Sequence, residues 1–150
     1  MNDTHTIDGA TGLKVPDASL TTYTHIIYAL HALSVLVGVL GSASVVGAFL
    51  LGLPSLVAVV MNYIRQSDAR GTVLESHFRW QIRTFWIAMA MMVVNIVINL
   101  PLFFVAIGFL TFPLGVLAIG IWIAYRVIRG WLALREQRPI GIQAALTSAS

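Results

Sequence analysis

Two histidines near the start of the first apolar segment are the residues most suited to metal or haem chemistry. An imidazole nitrogen can ligate a metal ion or a haem iron. His25 and His31 are six positions apart, which puts them about 120° apart around a helix, so they cannot hold one ligand from the same face. The later apolar segments contain no histidine that could serve as a second axial ligand. The sequence therefore predicts no cofactor and no metal, with a haem-binding membrane subunit as a remote alternative.

Catalytic groups at useful spacings are missing from the rest of the sequence. Glu75, Ser76 and His77 are consecutive and would point in different directions on a helix, so they cannot form a nucleophile–base pair. The sequence has no zinc-protease motif, no glycine-rich phosphate loop and no paired carboxylates. It has no cysteine, which excludes disulfides, iron–sulfur clusters and a thiolate nucleophile. We predict that the chain is not an enzyme.

Two asparagines one helical turn apart could line a path for a solute. Asn95 and Asn99 share one face of the third apolar helix. They could form the wall of a small-solute channel, or they could hydrogen-bond to a neighbouring helix, since polar side chains in lipid seek partners. The apolar stretches around them carry no charged side chain, although pumps and ion-coupled transporters usually need one. The packing role is favoured, and a channel or facilitator is the alternative function.

Small residues recur at every fourth position in the first half of the chain. The two series are Ser34, Gly38 and Ser42, and then Ser44, Ala48 and Gly52. Small side chains at this spacing let helix backbones approach closely. We expect tight packing within the first helical hairpin, with a subunit interface in a homo-oligomer as the alternative.

The composition of the chain is typical of a membrane protein. Of its 150 residues 58% are hydrophobic and 10% are charged, and the mean hydropathy is +0.86. Soluble domains carry about 25% charged residues, so this chain has too little polar surface to cover a globule in water. Two stretches, 18–64 and 84–125, lack Asp, Glu, Lys and Arg, and each is about twice the length that one crossing needs. We therefore predict an all-α polytopic membrane protein with four transmembrane helices in two hairpins.

Glycine, serine and proline residues predict where these helices begin and end. Gly and Ser near position 41 end the first helix, and the segment 108–113 separates the third helix from the fourth. Pro113 is expected in the first turn of the fourth helix, where a missing N–H costs nothing. The predicted helices run over about 22–40, 44–64, 75–107 and 113–134, within a transmembrane domain at 22–138.

Three segments outside the apolar stretches complete the predicted organisation. The start of the third helix is amphipathic, with Phe78, Ile82 and Phe85 on one face, and should lie at the membrane surface. A polar arm at 1–21 precedes the domain, and a flexible tail at 139–150 follows it.

Arginines at the ends of the apolar stretches predict the topology. Neither hairpin turn contains Lys or Arg, and four crossings place all nine basic residues on one side. The positive-inside rule makes that side the cytoplasm, with both termini there. The net charge of +3 comes from short clusters rather than a basic stripe, so we predict no nucleic-acid binding. Six arginines are expected to contact anionic phospholipid headgroups or a partner protein: Arg65, Arg70, Arg79, Arg83, Arg126 and Arg129.

Three short segments resemble a family of small membrane proteins. They are NYIR at 62–65, ESHFRWQ at 75–81 and YRVIRG at 125–130. With two hairpins and an arginine-rich segment before the third helix, the chain from 22 to 140 resembles the bacterial relatives of the twenty-kilodalton membrane subunit of the chloroplast Tic translocon. The plant protein is a core or channel-forming subunit of a protein import complex. The resemblance implies four crossings of a bacterial inner membrane, both ends in the cytoplasm, and partners. We expect a non-enzymatic accessory or scaffold subunit of a larger membrane complex.

Overall fold

Four α-helices make up the fold. The structure is a computed structural model that describes residues 6–9, 12–41 and 45–141, with the backbone alone described for 39–41 and 45–51. The helices are α1 (Ala18–Gly41), α2 (Val45–Ile64), α3 (Val73–Phe103) and α4 (Gly108–Arg135). Within the described ranges there is no strand, and two isolated bridges tie Ile7 to Lys14 and Lys14 to Thr72. The prediction of an all-α fold is confirmed.

The helices are those of a membrane protein. Three of them are long and apolar enough to cross a bilayer, over Ala18–Gly38, Val73–Phe103 and Gly108–Arg135, and α2 adds the shorter apolar segment Gly52–Ile64. Large apolar side chains cover the outside of the bundle, whereas His77 and Gln81 are 0% and 1% exposed. This distribution is the reverse of the one that water selects, because hydrocarbon favours exposed apolar groups and penalises exposed polar ones.

The core lies at one end of the bundle. α1 pairs with α2 and α3 pairs with α4 as antiparallel hairpins, and α1 against α4 is the main contact between the hairpins. The buried apolar cluster includes Ile27 and Tyr28 near the start of α1, Phe78 near the start of α3, and Val127 and Leu134 near the end of α4. The described arginines belong to the same end of the bundle, because they follow α2, open α3 or close α4.

The boundary between α3 and α4 differs from the predicted one. α3 ends at Phe103 rather than near 107, and α4 begins at Gly108 rather than at Pro113. A Cβ at Gly108 would lie 2.6 Å from the backbone nitrogen of Phe103, so the turn closes tightly only at a glycine. Pro113 is the sixth residue of α4, where it removes one backbone hydrogen bond, a loss that bilayer helices tolerate.

The start of α3 is set by a cap that lies before the predicted helix start. Thr72 is the N-cap, and its hydroxyl accepts a hydrogen bond from the Leu74 N–H at 3.2 Å. The Glu75 carboxylate accepts one from the Gly71 N–H at 2.9 Å. The spacing of Thr72 and Glu75 is that of a capping box, so the sequence contained the signal for a start at Val73.

The amphipathic segment is continuous with α3, and one of its three apolar residues is fully buried. Phe78 is buried, but Ile82 and Phe85 are only partly buried. The buried face also includes His77 and Gln81.

The ends of the domain also differ from expectation. α1 begins at Ala18, four residues before the predicted start. The segment predicted to be a flexible tail begins with packed residues, since Ile140 is buried and its N–H donates to the Ser76 hydroxyl at 3.0 Å. Residues 142–150 lie outside the described ranges.

Candidate functional site

A buried hydrogen-bond chain joins three parts of the fold at the arginine-bearing end. The Nε2 of His77 lies 2.9 Å from the Arg138 carbonyl oxygen, and its Nδ1 lies 2.9 Å from the Tyr28 hydroxyl. Because a carbonyl only accepts, the neutral His77 ring carries its proton on Nε2, and Nδ1 accepts from Tyr28. The chain therefore ties α1, α3 and the segment after α4 together. The sequence analysis had assigned no partner to Tyr28 or His77.

The structure does not bring the two candidate haem ligands together. His25 accepts a hydrogen bond at Nδ1 from the Trp131 indole N–H at 3.0 Å, on the side of α4. His31 meets the Ser55 hydroxyl at 3.1 Å, on the side of α2. Among the described residues there is no group of three His, Asp or Glu side chains that could hold a metal ion. The two imidazoles thus bond to different helices.

A small cavity lies where α1, α3 and α4 meet. Its volume is about 10 Å³, and its lining includes Tyr28, His31, Gln81, Thr84 and Arg126. Nε2 of His31 and Nη2 of Arg126 are buried and have no hydrogen-bond partner in the protein. This volume suits a single water molecule, which needs two to four polar neighbours. The cavity is too small for a substrate or cofactor.

The arginines expected to contact lipid differ in how they are paired. Arg65 forms an ion pair with Asp68 at 2.6 Å, and Arg79 forms one with Glu75 at 2.8 Å, so neighbouring acids offset these two charges. Arg70 is exposed and makes no ion pair within the described part of the chain.

The other three expected arginines form a cluster on α3 and α4. The Arg126 guanidinium stacks 3.6 Å from the centre of the Trp80 ring, and its Nε–H donates to the Thr84 hydroxyl at 2.8 Å. The positive charges of Arg83 and Arg129 act on it. We define Arg83, Arg126 and Arg129 as the arginine cluster. The acids of the three described ion pairs are bonded to Arg65, Arg79 and Arg138, so none of them offsets the charge of this cluster.

The two asparagines join α3 to α4 near the other end of the bundle. The Asn95 amide N–H donates to the Phe112 carbonyl at 3.3 Å. The Asn99 amide nitrogen donates to the Asn95 carbonyl at 2.8 Å and to its side-chain oxygen at 3.0 Å, and the Thr111 hydroxyl donates to the Asn99 side-chain oxygen. A Cβ at Gly115 would overlap the Asn95 amide. The amides are therefore engaged between the helices, and the sequence analysis missed Thr111 and Gly115, which lie one turn apart on α4.

The expected small-residue packing is uneven. Ser34 is buried, and its hydroxyl accepts from the Ser55 N–H at 3.2 Å, which joins α1 to α2. A Cβ at Gly38 or Gly52 would meet no atom of the described residues within 4 Å. Ser42 and Ser44 lie outside the described ranges, and Ala48 lies in α2 with its side chain undescribed.

The close approach between hairpins occurs at a glycine that the sequence analysis did not single out. A Cβ at Gly130 in α4 would lie 2.5 Å from the Tyr28 hydroxyl oxygen and 2.8 Å from a ring carbon. Small-residue spacing in the first hairpin gave no signal for this contact, because its partner is a tyrosine on α1.

Comparison of the chain with protein-family models, with curated proteins and with solved structures finds no match. The features of this chain that bear on its function are its apolar helices, its arginine-bearing end and its interhelical polar contacts.

Proposed function

We propose that the chain is an integral membrane protein with four crossings, and that both termini and the α2–α3 connection are cytoplasmic. α3 has 31 residues and α4 has 28, which exceeds the ~20 residues that a crossing requires. The excess lies at the start of α3 and at the end of α4, where all their charged residues occur. The segments that remain, 84–103 and 108–125, have the length of single crossings. The positive-inside rule then puts the arginine-bearing end in the cytoplasm.

The opposite end supports the same orientation. Phe104 in the turn between α3 and α4 is 89% exposed, and Phe109 follows it at 72%. The turn contains no charged residue. α2 has 20 residues, about 30 Å of helix, which matches the thickness of the hydrocarbon core. Reporter fusions in the 104–107 turn and after 141 test the topology: a cytoplasmic signal from the turn would overturn it.

The function that this arrangement supports best is that of a non-enzymatic accessory or scaffold subunit in a bacterial inner membrane. Its arginine-bearing end would bind anionic phospholipids of the cytoplasmic leaflet. The observation that carries it is the arginine cluster. It lies where the proposed crossings end and has no carboxylate partner among the described residues, so phosphate groups complete its charge balance. Trp80 and Trp122 flank it, and indole rings favour the headgroup region.

Membership of a larger complex is part of the proposal. Most of the surface of α3 beyond residue 84 is exposed and apolar, and this face is available to lipid or to another membrane helix. The resemblance to the Tic-like membrane family adds the expectation of partners. Gentle detergent extraction followed by cross-linking and mass measurement tests this point. A defined assembly larger than one chain is expected, and a lone monomer after cross-linking in the intact membrane would contradict it.

Binding of the arginine cluster to lipid has its own test. The purified chain, reconstituted with defined lipids, should bind phosphatidylglycerol more tightly than phosphatidylcholine. Arg83→Gln should reduce that preference, whereas Arg79→Gln removes a charge already paired with Glu75 and should change it less. Equal effects of the two substitutions would contradict a role for the cluster. The channel alternative is not part of the proposal, because the side chains of Asn95 and Asn99 bond to α4. The haem alternative is not part of it either, because His25 and His31 bond to different helices.

A further inference from the structure

A groove runs along the outside of the bundle between α1 and α4, near the arginine-bearing end. Its volume is about 630 Å³, and it is open along the side of the bundle rather than enclosed. His25 of α1 lines one side, and Ile128, Trp131, Leu132 and Arg135 of α4 line the other. The groove is separate from the arginine cluster, which lies between α3 and α4.

The groove changes from apolar to cationic along α4. Ile128 and Leu132 are 58% and 49% exposed, and Arg135 follows them on the same helical face. Arg135 is therefore about one turn beyond Leu132, at the end of α4. Arg135 makes no ion pair with any described residue, and the adjacent Glu136 is paired with Arg138.

A fixed hydrogen-bond donor lies in the wall of the groove. The Trp131 indole is a donor only, and it bonds to Nδ1 of His25 at 3.0 Å. Nδ1 must therefore accept, and the neutral imidazole carries its proton on Nε2. His25 and Arg135 both line the groove, so an imidazole N–H group and a guanidinium are the polar groups available to a ligand there. An N–H group and a guanidinium are together suited to the oxygens of one phosphate group.

We infer that this groove binds one anionic phospholipid from the cytoplasmic leaflet. The phosphate lies between Arg135 and the His25 N–H, and the start of an acyl chain lies along Leu132 and Ile128. The apolar half of the groove selects a lipid over free phosphate, and the uncompensated charge of Arg135 selects an anionic lipid. This inference rests on the proposed topology, which places the end of α4 at the cytoplasmic surface.

The test uses the full chain in mild detergent, titrated with phosphatidylglycerol and followed by native mass spectrometry. In an Arg83→Gln background, which weakens lipid binding at the arginine cluster, Arg135→Gln should weaken binding of the first lipid about tenfold or more, since a charge-assisted contact to phosphate is lost. Arg70→Gln removes another exposed, unpaired charge outside the groove and should leave that binding within about twofold. Ile128→Trp keeps every charge, fills the apolar half, and should also weaken binding.

Each outcome bears on the groove. Equal weakening by Arg135→Gln and Arg70→Gln would overturn it, because binding would then follow net charge alone. Competition by inorganic phosphate as strong as that by the lipid, or unchanged binding in Ile128→Trp, would also overturn it. Circular dichroism at the helical bands confirms that each variant is folded. If reporters place the termini outside the cytoplasm, the proposed function is wrong. If the termini are cytoplasmic but Arg135→Gln leaves lipid binding unchanged, only the inference about the groove is wrong.

Discussion

The substitution Gly130→Ala tests the packing of the two hairpins most directly. The added methyl carbon would lie 2.5 Å from the Tyr28 hydroxyl oxygen, 2.8 Å from Cε1 and 2.9 Å from Cζ. Non-bonded carbon atoms are at their optimum at about 3.5–4.0 Å, so two ring carbons and the hydroxyl oxygen of Tyr28 would be about 1 Å too close. The ring cannot simply turn away, because it stacks on Trp131 and meets the edge of His77.

The cost follows from these contacts. Overpacking in a filled core costs about 1–3 kcal/mol, and displacement of Tyr28 also breaks its hydrogen bond to His77, worth about 1 kcal/mol. Alanine gains about 0.5–1 kcal/mol over glycine inside a helix. We expect a net loss of about 1–3 kcal/mol, which lowers Tm by about 2–12 °C for a chain of this length. Thermal unfolding in detergent, followed by circular dichroism, measures it.

Two further variants decide whether the reasoning is right. Gly52→Ala makes the same change in α2, where a Cβ meets no described atom within 4 Å, and should leave Tm unchanged or raise it. Tyr28→Phe removes the closest atom, so Gly130→Ala should cost less in that background, with a coupling energy of about 0.5 kcal/mol or more in a double-mutant cycle. If Gly130→Ala behaves like Gly52→Ala, or if the two effects simply add, α4 does not contact Tyr28 as described.

Three further substitutions test local features. Thr72→Ala should destabilise the chain by about 1 kcal/mol, because α3 loses its N-cap. The change is measured as a Tm shift, with the exposed Thr22→Ala as the control, and equal shifts in the two variants would contradict the role of the cap. Gln137→Gly should stabilise it by about 0.5–1 kcal/mol, because Gln137 has a φ of 55° where α4 ends and glycine suits that conformation; a lower Tm would be the contrary result. Asn99→Leu should cost about 0.6–2 kcal/mol by opening the α3–α4 clamp, and a change in liposome solute flux at unchanged Tm would instead favour a channel.

The helical class and the apolar segments were predictable because they depend on sums along the sequence. Transfer of apolar residues into hydrocarbon adds up over a window of about 20 residues, and it needs no knowledge of neighbours. Helix ends depend on local chemistry and were less accurate. Pro113 suggested the start of α4, although the tight turn requires Gly108, and the Thr72–Glu75 capping box marked a start of α3 that the apolar pattern alone did not give.

The contacts between helices could not be predicted in the same way. Tyr28 and His77 are 49 positions apart, and His25 and Trp131 are 106 positions apart. A buried polar side chain needs a hydrogen-bond partner. The amino-acid sequence does not identify that partner, because the pairing depends on how α1 lies against α4. The register of those helices is set by Gly130 under the Tyr28 ring, and many other glycines in apolar segments offer the same local pattern.

The interhelical polar groups account for how this bundle holds together in lipid. In hydrocarbon there is no hydrophobic drive for helices to associate, so close packing and hydrogen bonds must supply it. Tyr28 with His77 joins α1 to α3, Ser34 with Ser55 joins α1 to α2, and Asn99 with Thr111 joins α3 to α4. Two of these contacts lie in α1, which makes that helix the centre of the assembly. Of these three contacts, only the one between Asn99 and Thr111 holds α3 beyond residue 84. The other faces of α3 in this region are exposed. If the chain assembles as proposed, this exposed face of α3 is the surface that a partner helix would contact.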